Sequence, residues 1–178
     1  MSAEAVVLSQ KTDVPQVLVL PLDPLNGPTA MVLPFVAKRI FDMASERMGE
    51  LDPERLVRGV LARVFAGDRS ILVLVFLDPT GKPVGHLVAE ACSDGVKKWA
   101  FVSQTKADGN VGDAVRRAML LVDEWAGSLT DLAPHGVPVT TMTMATHRDD
   151  AAWSRKYGLE KSRAVYTRAI GSPVGQSQ

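Results

Sequence analysis

The chain has 178 residues, enough for one domain with a sizeable core, and its 46% hydrophobic and 22% charged content is ordinary for a soluble globular protein. Twenty Lys and Arg balance twenty Asp and Glu, so no net field draws the chain to nucleic acid or to an anionic membrane. Its single cysteine, Cys92, cannot form an internal disulfide, which suits a reducing cytosol and a cytoplasmic protein.

The first ten residues contain Glu4 and lack the basic start and apolar run of a signal peptide. The most apolar stretch, Ile71 to Leu77, is too short to span a bilayer. The expected organisation is a flexible start over 1–13, one domain over 14–170 and a flexible tail over 171–178, where small and polar residues prevail.

Val17 to Pro21 is β-prone and ends in proline, which predicts an edge or first strand. The turn-rich Asp23 to Pro28 breaks it. From Thr29 to Met48 the residues Val32, Phe35, Val36, Ile40, Met43 and Ala44 recur at helical spacing, with Pro34 marking a first turn or a kink. Asp52-Pro53-Glu54 is a helix start: an N-cap acid, proline at the first helical position and an acid near the positive dipole end. That helix carries Leu56, Val60, Leu61 and Val64 on one face and stops before Gly67.

Ser70 to Leu77 predicts a central strand covered on both faces. Asp78-Pro-Thr-Gly81 turns the chain, and Gly85 to Cys92 returns as the second arm of a hairpin. After Ser93-Asp-Gly95, Lys98 to Gln104 alternates, with Trp99, Phe101 and Ser103 on one side and Ala100, Val102 and Gln104 on the other. The clearest helix follows Gly112, striped by Val111, Val115, Ala118, Met119, Val122 and Trp125. Val139 to Ala145 predicts a strand, Asp149 or Asp150 caps a two-turn helix ending at Gly158, and Ser162 to Ile170 predicts the last strand.

Three strands joined by tight turns form an antiparallel meander, and the crossover through the helix after Gly112 gives a parallel pair. The expected class is α+β: a mixed, mainly antiparallel twisted sheet with helices on both faces.

This order resembles the GNAT superfamily of N-acetyltransferases over roughly residues 53–170. Gly81-Lys-Pro-Val-Gly85-His-Leu-Val is similar to the hairpin leading into that family's third strand. Gly109-Asn110-Val111-Gly112-Asp113-Ala114 sits where the family binds pyrophosphate, and Trp153-Ser-Arg-Lys-Tyr-Gly158-Leu159 resembles its closing helix. The implied cosubstrate is acetyl-CoA, held by the strand end Val102, Ser103, Gln104 and by Gly109, Asn110, Val111, Gly112, Asp113 and Ala114. A helix N-terminus entered through small residues offers the backbone donors that a pyrophosphate needs. Gly109 stands where the family has Arg or Gln. Arg116 and Arg117 lie in the first turns of a helix whose dipole disfavours cations, a conflict that a bound anion would remove.

The family places a tyrosine near the departing thiol, and Ser154 occupies that position here; Tyr157, three residues on, shares roughly the same helix face. Tyr157 alternatively packs as an aromatic pair with Trp153. Glu90 shares a strand face with His86 and Val88 and is the carboxylate best placed for a base, or else a solvent-facing acid. His86, His135 and His147 are too scattered for a metal site, and none is expected. Cys92 reads as a small buried hydrophobe, and Lys97-Lys98 as a solvated strand end.

Two functions stand side by side. One is acetyl-CoA-dependent acylation of an amine on a small molecule or a protein, with no specific nucleic acid or membrane partner. The other is a GNAT-fold binding or structural component without catalysis, a form similar to tailed-phage virion proteins. Homodimerisation or virion assembly are the associations compatible with the two.

Overall fold

A computed structural model describes residues 16–25, 29–47, 52–111 and 113–144. Contacts group the chain into two units, Met1–Ala145 and Thr146–Gln178, and every described residue belongs to the first. The expected flexible start lies outside the described residues, as do the tail, the helix ending at Gly158 and the last strand.

The hairpin at the centre is fixed by its turn. Asp78 Oδ1 accepts bonds from Thr80 N at 2.8 Å, Thr80 Oγ1 at 2.6 Å and Lys82 N at 3.0 Å, while Gly81 takes φ +83°. It joins β2 (Ile71–Leu77) to β3 (Pro83–Ser93) in antiparallel register, with Val73 opposite Val88 and Val75 opposite His86. β4 (Lys98–Ala107) adds antiparallel to β3, and β1 (Leu18–Pro21) adds antiparallel to the other side of β2. After α3 (Ala114–Gly127), β5 (Val139–Met144) pairs parallel to β4, which completes a five-stranded sheet in the order β1-β2-β3-β4-β5.

Helices cover both faces. α1 (Leu33–Arg47) follows a single 3₁₀ turn and buries Val36, Ile40, Met43 and Ala44, the spacing of one helical stripe; Pro34 sits in its first turn, where its missing N–H costs nothing. α2 (Pro53–Phe65) is capped by Asp52, whose Oδ1 accepts from Glu54 N and Arg55 N. Both pack on the sheet face that carries Ile71, Val73, Val75, Leu77 and Val88. On the opposite face of β2, Leu74 and Phe76 are fully buried, and α3 contributes Ala114, Ala118, Met119, Val122 and Ala126.

A register break redirects the second half of β4. Val88 lies opposite Gln104, whereas Ala89 lies opposite Val102, so Ser103 is an extra residue, a β-bulge. Val102 pairs with the residue facing α3 and Gln104 with the one facing α1. The expectation that Ala100, Val102 and Gln104 share a side is therefore corrected: the bulge moves Gln104 to the other face. It also carries β4 three residues past the expected end at Gln104, to Ala107.

Lys98 is a second correction. It is not a solvated strand end but only 3% exposed, with Nζ donating to Leu129 O at 3.0 Å and Leu132 O at 2.7 Å. The lysine ties the segment after α3 back to the sheet.

Candidate functional site

Among the described residues β4 and β5 run side by side from Lys98↔Val139 to Val102↔Met144. Beyond that point β4 continues through Ser103 to Ala107, hydrogen-bonded to β3 on one side; among the described residues no strand pairs its other edge. The described pairing of β4 with β5 ends next to the bulge. Ser103 Oγ donates to Val88 O at 3.4 Å, and Gln104 is almost buried, accepting at Oε1 from His86 Nε2 at 3.3 Å. Val102, Ser103 and Gln104 thus stand together where the described pairing of β4 with β5 ends.

The loop from Asp108 to Asp113 leads from this edge to α3. Gly109 takes φ +64°, a left-handed conformation that glycine adopts without strain, and it is exposed together with Asn110. Gly112, the centre of the expected cradle, lies outside the described residues. Ala114 is withdrawn from the set of amide donors: its N–H bonds to Val111 O at 3.1 Å and its side chain is completely buried.

Protein groups reach both arginines at the start of α3. Arg116 Nε and Nη2 bond the two carboxylate oxygens of Asp113 at 2.9 and 3.3 Å, and Arg117 Nη2 donates to Val17 O beside β1. Asp113 offsets the unfavourable position of Arg116 against the helix dipole, while the buried Nε of Arg117 has no hydrogen-bond partner. Asp113 in turn presents a compensated charge to the loop.

Glu90 does share a face with His86 and Val88, but it is held. Arg63 of α2 donates to Glu90 Oε2 at 2.6 Å, to Asp68 Oδ2 at 2.8 Å and to Ser70 Oγ at 2.8 Å. The Ser70 hydroxyl, and after it Arg63, holds the Asp68 carboxyl down to about 2. Glu90 therefore fastens the end of α2 to β3 rather than facing solvent as a free acid. Burial pushes the Cys92 thiol up, with the nearby Glu90 charge adding to it, so the thiolate nucleophile is disfavoured there.

His86 is fully buried. Desolvation lowers its pKa to about 4, against the raising effect of the Gln104 bond and with smaller lowering from Arg39 and Lys106. The imidazole is neutral near pH 7, and its Nδ1 has no hydrogen-bond partner. His135 is exposed in the segment before β5. Ser154, Tyr157 and His147 lie outside the described residues. A cleft of about 260 Å³ sits elsewhere, beside the start of β2, lined by Leu22, Val64, Arg69, Trp125 and Leu129 among others, and by no residue from 102 to 114.

No protein-family model matches the sequence, and no curated protein matches it. Solved structures do. The glucosamine-6-phosphate N-acetyltransferase from Arabidopsis thaliana superposes with a TM-score of 0.57 at 9% identity, over 87% of this chain and 99% of that one. A structure described as a possible acetyltransferase from Clostridium difficile 630 gives 0.56 at 15% identity, over 87% and 98%. An aminoglycoside acetyltransferase from an uncultured soil metagenomic sample, in complex with sisomicin, gives 0.50 at 16% identity, over 86% and 96%. Identities this low establish architecture alone: the chain has the GNAT fold, an α+β arrangement built on the mixed sheet described above. No helix among the described residues is long and apolar enough to cross a membrane.

Proposed function

We propose that the chain is an N-acyltransferase that moves the acetyl group of acetyl-CoA to an amine on a small molecule or protein. The observation that carries this reading is the edge of β4 from Ser103 to Ala107, which no strand pairs among the described residues and which runs straight into the glycine-bearing loop before α3. An extended ligand that contains amide groups and ends in phosphates suits such an edge followed by such a loop. The amides of pantetheine match strand N–H and C=O groups, and a pyrophosphate matches main-chain donors ahead of a helix. With Ala114 withdrawn, that cradle rests on the loop residues before it.

In the reaction, the amine nitrogen lone pair attacks the thioester carbonyl carbon. Backbone donors stabilise the oxyanion that forms. The C–S bond then breaks, the sulfur leaves with the electron pair, and it takes a proton; the products are an N-acetyl amide and CoA thiol. The amine loses one proton in the process. Resemblance assigns the proton donor to Tyr157 or to Ser154. No described carboxylate is assigned as base, because Glu90 is bound by Arg63.

A second reading is favoured by three observations together: the Ala114 amide capped by Val111, Arg116 satisfied by Asp113, and Glu90 tied to Arg63. Each removes a group that chemistry would use. On this reading the fold serves binding or structure, as in a virion component.

Calorimetry with acetyl-CoA and with desulfo-CoA separates the two. The transferase reading expects micromolar binding that Gly112→Asp weakens. No detectable binding refutes it and leaves the structural reading. If both ligands bind, Tyr157→Phe and Ser154→Ala kinetics assign the proton donor, and unchanged turnover in both removes both residues from the mechanism.

A further inference from the structure

The bulge at Ser103 also changes which way the residues after it face. By simple alternation from Ala100 and Val102, the residues Gln104, Lys106 and Asp108 would follow them to the α3 side. With one residue inserted, they turn instead toward α1, and each finds a polar partner on that side. Gln104 meets His86, Lys106 Nζ reaches Glu46 Oε1 at 3.6 Å, and Asp108 pairs with Arg39.

The last of these contacts is unlike the others, because Asp108 is the first residue of the loop into α3. Its backbone N–H is bonded to Val84 O at 2.7 Å, and its carboxylate is bonded to Arg39, whose side chain is only 15% exposed. Arg39 is itself held from below, with its guanidinium carbon 5.0 Å from the centre of the Phe35 ring on the preceding turn of α1. Immediately after Asp108 the chain bends at Gly109. At the far end of the loop Asp113 is pinned by Arg116. The loop is therefore clamped at both ends, once by α3 and once by α1.

We propose that Arg39 is a positioning residue for the loop between β4 and α3, acting through Asp108. This rests on the reading of that loop as the acyl-CoA phosphate site. Arg39 touches no ligand in this account; it fixes where the loop begins. Because α1 also buries Val36, Ile40 and Met43 against the sheet, the loop inherits the rigidity of that packed helix. A loop tethered before binding loses less conformational freedom when a ligand arrives.

The bland alternative is that Arg39 only staples α1 to the sheet, and the two accounts differ in what moves. Arg39→Ala, Asp108→Ala and the charge-exchanged Arg39→Asp/Asp108→Arg protein would be compared by amide hydrogen exchange, thermal unfolding and desulfo-CoA calorimetry. Asp108 is half exposed, so a surface-grade pair sets the scale: exchange across 109–113 should rise by about twofold to fivefold in each single variant. Exchange in α1 and the melting temperature should change little. Desulfo-CoA affinity should fall by a similar factor, and the exchanged pair should recover much of both.

Loop exchange unchanged in Arg39→Ala overturns the proposal, as does faster exchange confined to α1. Additive losses in the two single variants, with no recovery in the exchanged protein, also overturn it. A native protein that fails to bind desulfo-CoA sinks the transferase reading by itself; the exchange data, which need no ligand, still decide whether Arg39 orders the loop.

Discussion

Gly85 sits opposite Phe76 on β2 and opposite Ala107 on β4, in the middle of three strands. A Cβ built there would stand 2.6 Å from Phe76 Cδ2, 2.8 Å from Lys106 O and 3.0 Å from Ala107 Cα. Two of these three atoms are backbone. The third belongs to a rigid ring with no exposed surface, so it has nowhere to retreat. Overfilling a packed core costs about 1–3 kcal/mol, and a clash against both ring and strand puts Gly85→Ala near the upper end. For a chain of this size about 3 kcal/mol corresponds to a fall in melting temperature of roughly 6–12 °C. Urea unfolding should show a lower midpoint with an unchanged slope, meaning lost stability rather than an altered unfolded state. Gly127→Ala is the control, since an added Cβ meets nothing within 4 Å there; it should be neutral or mildly stabilising. A Gly85→Ala protein melting within about 2 °C of the native one would refute the argument, because ring and strand would then yield at little cost.

Three further outcomes are expected. His86 has a folded pKa of about 4, below its value in the unfolded chain, so the neutral form it stabilises is fully present above about pH 6.5 and lost as pH falls toward 4. Urea titrations at pH 7 and pH 4.5 should differ by about 2–3 kcal/mol more in the native protein than in His86→Leu; equal pH dependence would contradict the burial argument. Lys98→Met keeps the length of the side chain but leaves the Leu129 and Leu132 carbonyls without their donor, and should cost about 1–3 kcal/mol by the same unfolding assay, with no loss meaning that water replaces the ammonium. Glu90→Gln should lower stability by about 1 kcal/mol, since the Arg63 pair is only partly buried, and should leave any transferase turnover within about twofold; a fall of 100-fold or more would restore Glu90 as the general base.

How far the sequence was legible depended on whether a rule acts locally. Asp52-Pro53 as a cap, Pro34 in a first turn and Asp78 to Gly81 as a hairpin turn are all decided by neighbours within four residues, and all appear as expected. The helical stripe of α1 and the parallel crossover to β5 followed from periodicity and topology, while the α3 stripe keeps Ala118, Met119 and Val122 but buries Ala114 and Ala126 where Val115 and Trp125 were expected. What escaped was set by partners far along the chain. Arg63 claims Glu90 from 27 residues away, and Lys98 reaches carbonyls 31 and 34 residues on. Neither pairing leaves a mark in local composition, although a lysine at an inward position of an alternating strand hinted at the second. The bulge at Ser103 was invisible because one inserted residue changes the parity of everything after it. That single change hid the last three residues of β4 and the route by which Asp108 reaches Arg39.

Consecutive strands of this sheet are also neighbours in space, from β1 through β5. Among these five strands none waits for a later one to fill a slot between it and its partner. A nascent chain can therefore enlarge the sheet from one margin only, each new segment aligning on a template already made, with the β3–β4 connection from Asp94 to Lys97 closing the shortest loop in the sheet. The parallel margin, where β5 joins after α3, is then the last of these five to be laid down.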